Sequence, residues 1–249
     1  MPPADVTFDA RIIGDGRAGG ALALALADAG WRVDGPHGRG HDLALATTGT
    51  RLLLLAVPDG AIRELAGALA PGDAVVAHVA GALGLDVLGP HSRVGSVHPL
   101  VALPGAELGA RRLRGAWFAT AGDPAVHEVV RALDGRAVEV ADADRTTYHA
   151  TAVVAANHLV GLLGQVERLA GSIGVPLEAY LDLARGALED VAELGPVDAL
   201  TGPVARGDRE TVARHLAALP EDERTLYAML AGAAERLVEQ RDAVLGDPA

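Results

Sequence analysis

ARIIGDGRAGGALALALADAG, residues 10–30, decides how the rest of the chain is read. Residues 10–14 read as a short buried strand ending on glycine. Gly14-Asp15-Gly16-Arg17-Ala18-Gly19 is a G-x-G-x-x-G run. Ala21–Ala29 then reads as an alanine-rich helix, with Gly30 placed to close it. Strand, glycine loop and helix in that order give the spacing a physical meaning. Gly14 permits a tight turn, Gly16 lets the backbone approach a pyrophosphate, and Gly19 lets the helix pack close to the strand. The helix N-terminus then offers free N–H groups and a partial positive charge to phosphates, with Arg17 placed to add a side-chain contact and Ala18 beside it in the loop. These residues are expected to hold a dinucleotide.

Outward from the loop, strands and helices alternate. Trp31–Pro36 reads as a second strand. Leu52–Val57 is a continuous apolar run stopped by Pro58, the pattern of a parallel strand buried on both faces. Ala61–Leu69 reads as a helix, and Ala74–Val79 as a further strand. Shorter strands are expected at Arg93–Val97, Ala116–Thr120 and Ala137–Val140, with a helix over Asp123–Leu133. From Asp144 onward the pattern is helical alone: Asp144–Gly171, Pro176–Leu194, Asp208–Leu219 and Glu221–Leu245. The expected fold is α/β, with an N-terminal Rossmann domain of mostly parallel sheet over residues 1–142. An all-α domain for substrate binding and dimerisation follows over residues 143–249.

Composition limits the chemistry. The 249 residues carry no cysteine and no lysine; all 21 basic residues are arginine. Thiolate catalysis, cysteine-ligated metals and Schiff bases are therefore excluded, and no metal site is indicated. The net charge of −12 argues against nucleic acid or an anionic membrane as a partner. The N-terminal MPPADVTFDA does not read as a leader, and a cytoplasmic protein is expected.

Open α/β sheets bind ligands at the carboxyl ends of their strands. Val57-Pro58-Asp59 and the His78–Gly81 turn are accordingly expected to line the dinucleotide cleft. Asp59 is equally compatible with a helix N-cap. Asp34, 20 residues past Gly14, stands where an acid would hold a ribose hydroxyl. If the strand runs on through Gly35 and Pro36, Arg39 instead faces the ribose and suits a 2′-phosphate. The second alternative points to NADP, with NAD still open.

Hydride reduction of a carbonyl or imine needs a proton donor where negative charge develops. Without lysine or cysteine that donor is His, Tyr, a carboxylic acid or water. His149 and Asn157 are eight residues apart, about 80° around a helix, so both can serve one side. Residues 150–156 between them are uncharged, and this helix is expected to be buried nearly all round. His98, in GSVHP after a strand, is placed to reach the cleft from the first domain, with Ser96 as a hydrogen-bond donor to substrate. Arg206, in TGPVARGD, has the fork to clamp a substrate carboxylate, or is a solvated turn residue. Asp208 is a good N-cap for the helix that follows.

These pieces resemble a known family. IIGDGRAGGALALAL (12–26), LLLLAVPDGAI (52–62), HVAGALG (78–84), GSVHPL (95–100), YHATAVVAANHLV (148–160) and LTGPVARGD (200–208) resemble bacterial proteins with a Rossmann-like NADP-binding domain followed by domain-of-unknown-function family 2520. That family is placed in the wider 6-phosphogluconate-dehydrogenase-like and ketopantoate-reductase-like superfamily. The resemblance implies a helical C-terminal domain used for homodimerisation, and reduction of a small substrate such as the 2-keto acid ketopantoate. The superfamily's reductases use a helix Lys followed by Asn. Here His149 stands in the comparable helix ahead of Asn157, with different spacing. The expected activity is an NAD(P)-dependent reductase of a small carbonyl or imine. The alternatives are a dinucleotide-binding sensor or scaffold without turnover, and a reductase using a deazaflavin beside NADP.

Overall fold

The structure, a computed structural model, describes residues 8–246. The leader reading at residues 1–7 and the last residues of the expected second domain lie outside them. The chain forms two compact units that divide between Asn157 and His158.

The first unit is built on a seven-stranded sheet. Its strands are β1 (Phe8–Ile13), β2 (Val33–His37), β3 (Thr50–Leu55), β4 (Val75–His78), β5 (Val94–Pro99), β6 (Trp117–Gly122) and β7 (Arg136–Glu139). The spatial order is β2-β1-β3-β4-β5-β6-β7. All neighbouring pairs are parallel except β5 and β6. This is the Rossmann arrangement. Its strand order reverses at β1, which lies between β2 and β3, and the carboxyl ends of β1 and β3 flank the resulting crevice.

The LLLL run shows why the sheet forms. Leu52 and Leu54 pack into one apolar layer, beneath α1 (Arg17–Asp28), α3 (Ala106–Leu113) and α4 (Val126–Ala132). Leu53 and Leu55 pack into the other, beneath α2 (Asp59–Ala68) and a 3₁₀ turn at Leu85–Leu88. The four side chains are at most 2% exposed, and each contributes about 1.5–3 kcal/mol of burial energy. Arg11 is the polar exception inside β1. Its Nε donates to Asp34 at 2.5 Å, and its Nη1 donates to the carbonyls of Leu45, Ala46 and Thr48. One side chain thereby anchors the irregular segment between β2 and β3.

Helical structure takes over after β7, as the loss of alternation near residue 142 implied. Helix α5 (Arg145–Val153) continues into a π-helical segment at Val154–His158. The expected single helix from Asp144 is therefore interrupted at Asn157, and π segments of this kind often occur at functional sites. The uncharged stretch 150–156 is not buried nearly all round: residues 150, 151 and 154–156 are exposed. Absence of charge was a poor guide because small alanines gain little from burial.

The second unit holds α6 (Leu159–Ser172), α7 (Leu177–Asp198), α8 (Gly202–Ala205), α9 (Arg209–Ala218) and α10 (Glu221–Gly246). Asp208 caps α9, accepting from the Thr211 amide at 3.0 Å. Glu223 joins α10 to α6: its carboxylate accepts from Arg168, and its carbonyl accepts from Gln165 Nε2 at 2.8 Å. Among the described residues no helix is long and apolar enough to cross a membrane.

Candidate active site

The glycine loop sits at the sheet's crossover point. Gly14 has φ +118°, and a Cβ there would lie 2.1 Å from the Ala56 carbonyl oxygen. A Cβ on Gly19 would lie 1.7 Å from the Gly14 carbonyl oxygen. Both glycines serve close packing of α1 against β1 and β3. Gly16 differs, because a Cβ there would meet nothing within 4 Å. It is the N-cap of α1, no side chain caps the helix, and no acid lies in its first turn. The amides at Arg17 and Ala18 thus face open space at the positive end of a twelve-residue helix. The exposed Arg17 side chain has no ion pair among the described residues. A dinucleotide pyrophosphate fits this cradle.

β2 runs through Gly35 and Pro36 to His37, whose carbonyl accepts from the Gly14 amide at 2.8 Å. Asp34 therefore lies inside the strand, its carboxylate taken by Arg11 and by His37 at 2.8 Å. Arg39 is exposed in the following loop with no ion pair among the described residues. Val57 and Pro58 lead from β3 into α2, where Asp59 is the first helical residue and makes no capping hydrogen bond.

His78, at the end of β4, is fully buried. The Ala80 amide donates to its Nδ1 at 3.2 Å, so Nε2 carries the ring proton and donates to the Gly84 carbonyl at 3.2 Å. Burial holds this imidazole below its ordinary pKa. Both ring nitrogens are occupied in shaping the 79–84 loop, which leaves neither for a ligand. Close approach at Gly81 is made by imidazoles: a Cβ there would lie 2.5 Å from His149 Cδ2 and 2.9 Å from His98 Nε2.

His98 and His149 therefore meet, as the sequence suggested, with ring centroids 6.0 Å apart. Tyr148 joins them. Its hydroxyl lies 2.8 Å from His98 Nδ1, in a hydrogen bond whose direction follows the His98 tautomer. Burial, then the charges of His149 and Arg145, push His98 down to about 4. Burial raises Tyr148 above the ordinary phenol value. At neutral pH the pair is thus a neutral imidazole and an intact phenol. Ser96 shares the His98 face of β5 by strand alternation; it is fully buried and its Oγ has no partner. Asn157 is exposed in the π-helical segment. Arg206 is exposed on the turn after α8, in the second unit.

A model of the domain of unknown function DUF2520 matches residues 119–234. The match begins in β6 and ends in α10, so the matched stretch includes Arg145, Tyr148, His149, Asn157 and Arg206. The glycine loop and His98 precede it.

Solved structures extend the likeness over the whole fold. A Bacteroides fragilis protein proposed to be an NADP oxidoreductase superposes with a TM-score of 0.75 at 21% identity, over 92% of this chain and 98% of that one. A reductive aminase from Aspergillus terreus, in complex with NADPH and ethyl levulinate, gives 0.64 at 15% identity over 94% of each chain. A Plasmodium falciparum pyrroline carboxylate reductase with NADP bound gives 0.62 at 13% identity, over 94% of this chain and 99% of that one. No match was found among curated protein sequences.

Two residues of the matched stretch, Arg145 and Tyr148, stand outside the site expected from sequence. Arg145, Tyr148 and His149 are spaced i, i+3, i+4, which sets all three on one face of α5. That spacing was the available signal.

The low His98 pKa makes stability depend on pH. An unfolded histidine titrates near ~6.5, so between that value and about 4 the unfolded chain binds a proton that folded His98 refuses. Stability is full above the upper value and falls as pH drops through the window. Thermal melts from pH 7 to pH 4.5 should show a declining Tm, with a shallower decline in His98→Gln. Equal slopes in the two proteins would remove His98 as the cause.

Proposed function

We propose that this chain is an NADP-dependent oxidoreductase that reduces a small carbonyl or imine. The observation that carries the reading is the shared edge of one sheet: the open Gly16 cradle and the His98–Tyr148–His149 cluster both lie where parallel strands end. NADP is preferred over NAD because Asp34 is already held by Arg11 and His37, whereas Arg39 is exposed with no ion pair among the described residues. The NADP- and NADPH-bound neighbours support the same choice.

When bound, the dinucleotide supplies the hydride. Amides at the start of α1 hold its pyrophosphate, and Arg17 adds countercharge. Tyr148 gives its hydroxyl proton to the substrate oxygen or nitrogen on which negative charge develops. His98 returns a proton from Nδ1 and takes one at Nε2, the nitrogen that faces Gly81 and the half-exposed His149. Asn157 and Ser96 are assigned to substrate binding. A second copy of this chain is the assigned partner: α7 buries no residue, and Leu183, Leu188, Leu194 and Met229 stand exposed.

Titration of NADPH and NADH tests the cofactor. NADPH is expected to bind more tightly, and Gly16→Val to weaken it by about 30-fold or more, roughly 2 kcal/mol, with Tm retained. Tighter binding of NADH would reject the NADP assignment, and unchanged affinity in Gly16→Val would remove the cradle. Loss of nicotinamide absorbance on a panel of 2-keto acids and cyclic imines then reports turnover. Tight NADPH binding with no turnover across that panel would favour the sensor.

A further inference from the structure

Arg145 opens α5 and is 1% exposed, yet its Nε, Nη1 and Nη2 have no hydrogen-bond partner among the described residues. A guanidinium stays protonated in a protein, and leaving such a charge buried without an acceptor is costly. The nearby acid relieves it only through space: Asp142 attracts the guanidinium but accepts from the Leu85 amide through Oδ2 at 2.9 Å and makes no direct hydrogen bond to Arg145. Tyr148 and His149 lie one turn further along the same helix face and are half-exposed. The face that buries Arg145 therefore opens toward solvent at the candidate catalytic groups.

We propose that Arg145 is the receptor for a substrate carboxylate, which it holds bidentately beside Tyr148 and His98. The proposal rests on the reductase reading and narrows its substrate to a carbonyl or imine bearing a carboxylate. A carboxylate suits the site better than a phosphate. The planar fork matches two coplanar oxygens. Arg145 is the arginine at this site, and burial holds His78 and His98 neutral near pH 7, so a singly charged carboxylate suits it better than a more highly charged phosphate. Arg206, the clamp expected from sequence, is solvent-exposed and carries no such cost.

Calorimetry with oxamate, an unreactive 2-keto acid mimic, tests the proposal on the full chain, with NADPH binding measured in parallel. Oxamate is expected to bind wild type and to lose at least about 30-fold in affinity in Arg145→Gln, equivalent to about 2 kcal/mol. Arg145→Lys should recover part of that loss, while NADPH affinity stays unchanged in both variants. Arg145→Met should raise Tm by roughly 5 °C, because it removes an unpaired buried charge. A purely structural arginine would instead lower Tm when replaced. Equal oxamate affinity in wild type and Arg145→Gln overturns the assignment, as does a wild type that binds NADPH but no oxamate. Inorganic phosphate binding with the same Arg145 dependence, in competition with oxamate, overturns the carboxylate in favour of a phosphate. Arg145-dependent oxamate binding without NADPH binding supports the anion site while ending the reductase reading.

Discussion

Gly14→Ala is expected to be among the most destabilising single substitutions in the first unit. The added methyl would stand 2.1 Å from the Ala56 carbonyl oxygen and 2.5 Å from its carbon, and both are backbone atoms of the segment following β3. No rotamer change can move them. The φ of +118° adds conformational strain for any residue with a Cβ. Relief requires β1 and β3 to separate at their carboxyl ends, where Ala56 N donates to the Ile13 carbonyl at 2.7 Å. A cost of about 4 kcal/mol or more is expected, against a total stability of roughly 5–15 kcal/mol for an ordinary protein. Urea denaturation followed by circular dichroism measures it. Gly16→Ala is the control: φ there is −74° and its Cβ meets nothing, so its midpoint should match wild type. A Gly14→Ala protein with an unshifted midpoint would show that the strand ends have slack that this packing denies them.

Tyr148→Phe is expected to lower kcat by about 10²- to 10³-fold on a competent substrate, the range for a removed general acid. NADPH affinity should be unchanged, since Tyr148 contributes nothing to the Gly16 cradle. The substitution deletes one oxygen and keeps the ring that packs edge-on to His98 at 5.5 Å between centroids. It also leaves His98 Nδ1 without its partner, so a loss of about 1–2 kcal/mol in stability accompanies the kinetic effect. The two are separable: His98→Gln disturbs the same hydrogen bond but keeps the phenol, and should retain more turnover than Tyr148→Phe. Full activity in Tyr148→Phe would transfer the proton donor's role to His149 or to water.

The fold was legible because its signals are local. Leu52–Leu55 could only be a strand with two buried faces, and the glycine loop could only join a strand to a helix across a tight turn. Boundaries moved by a few residues: α1 begins at Arg17, within the glycine run, and β2 extends to His37. Helix α3 was missed because residues 106–113, AELGARRL, contain glycine and a run of charges, and the helix owes its place to packing against α1. The π-helical segment at Asn157 had no sequence signal at all.

The candidate site was half legible. His98 and His149 could be suspected from their positions near strand and helix ends. The spacing sets Tyr148 beside His149, but its bond to His98 was not legible, because a hydrogen bond spanning 50 residues depends on where α5 lies against β5. His78 was expected at the cofactor and instead supports its own loop, a role set by amide geometry that residue type does not reveal.

The sequence by itself determined the order of strands and helices, the glycine cradle and the exclusion of lysine and cysteine chemistry, because each follows from residue type and short-range spacing. Only the tertiary structure decided which charges are paired. Arg39, Arg206 and Arg145 read alike as letters, yet two are solvated and one is buried without a partner. Burial is set by what the rest of the chain stacks around a residue, and here that burial turns an ordinary arginine into the molecule's most specific claim about its substrate.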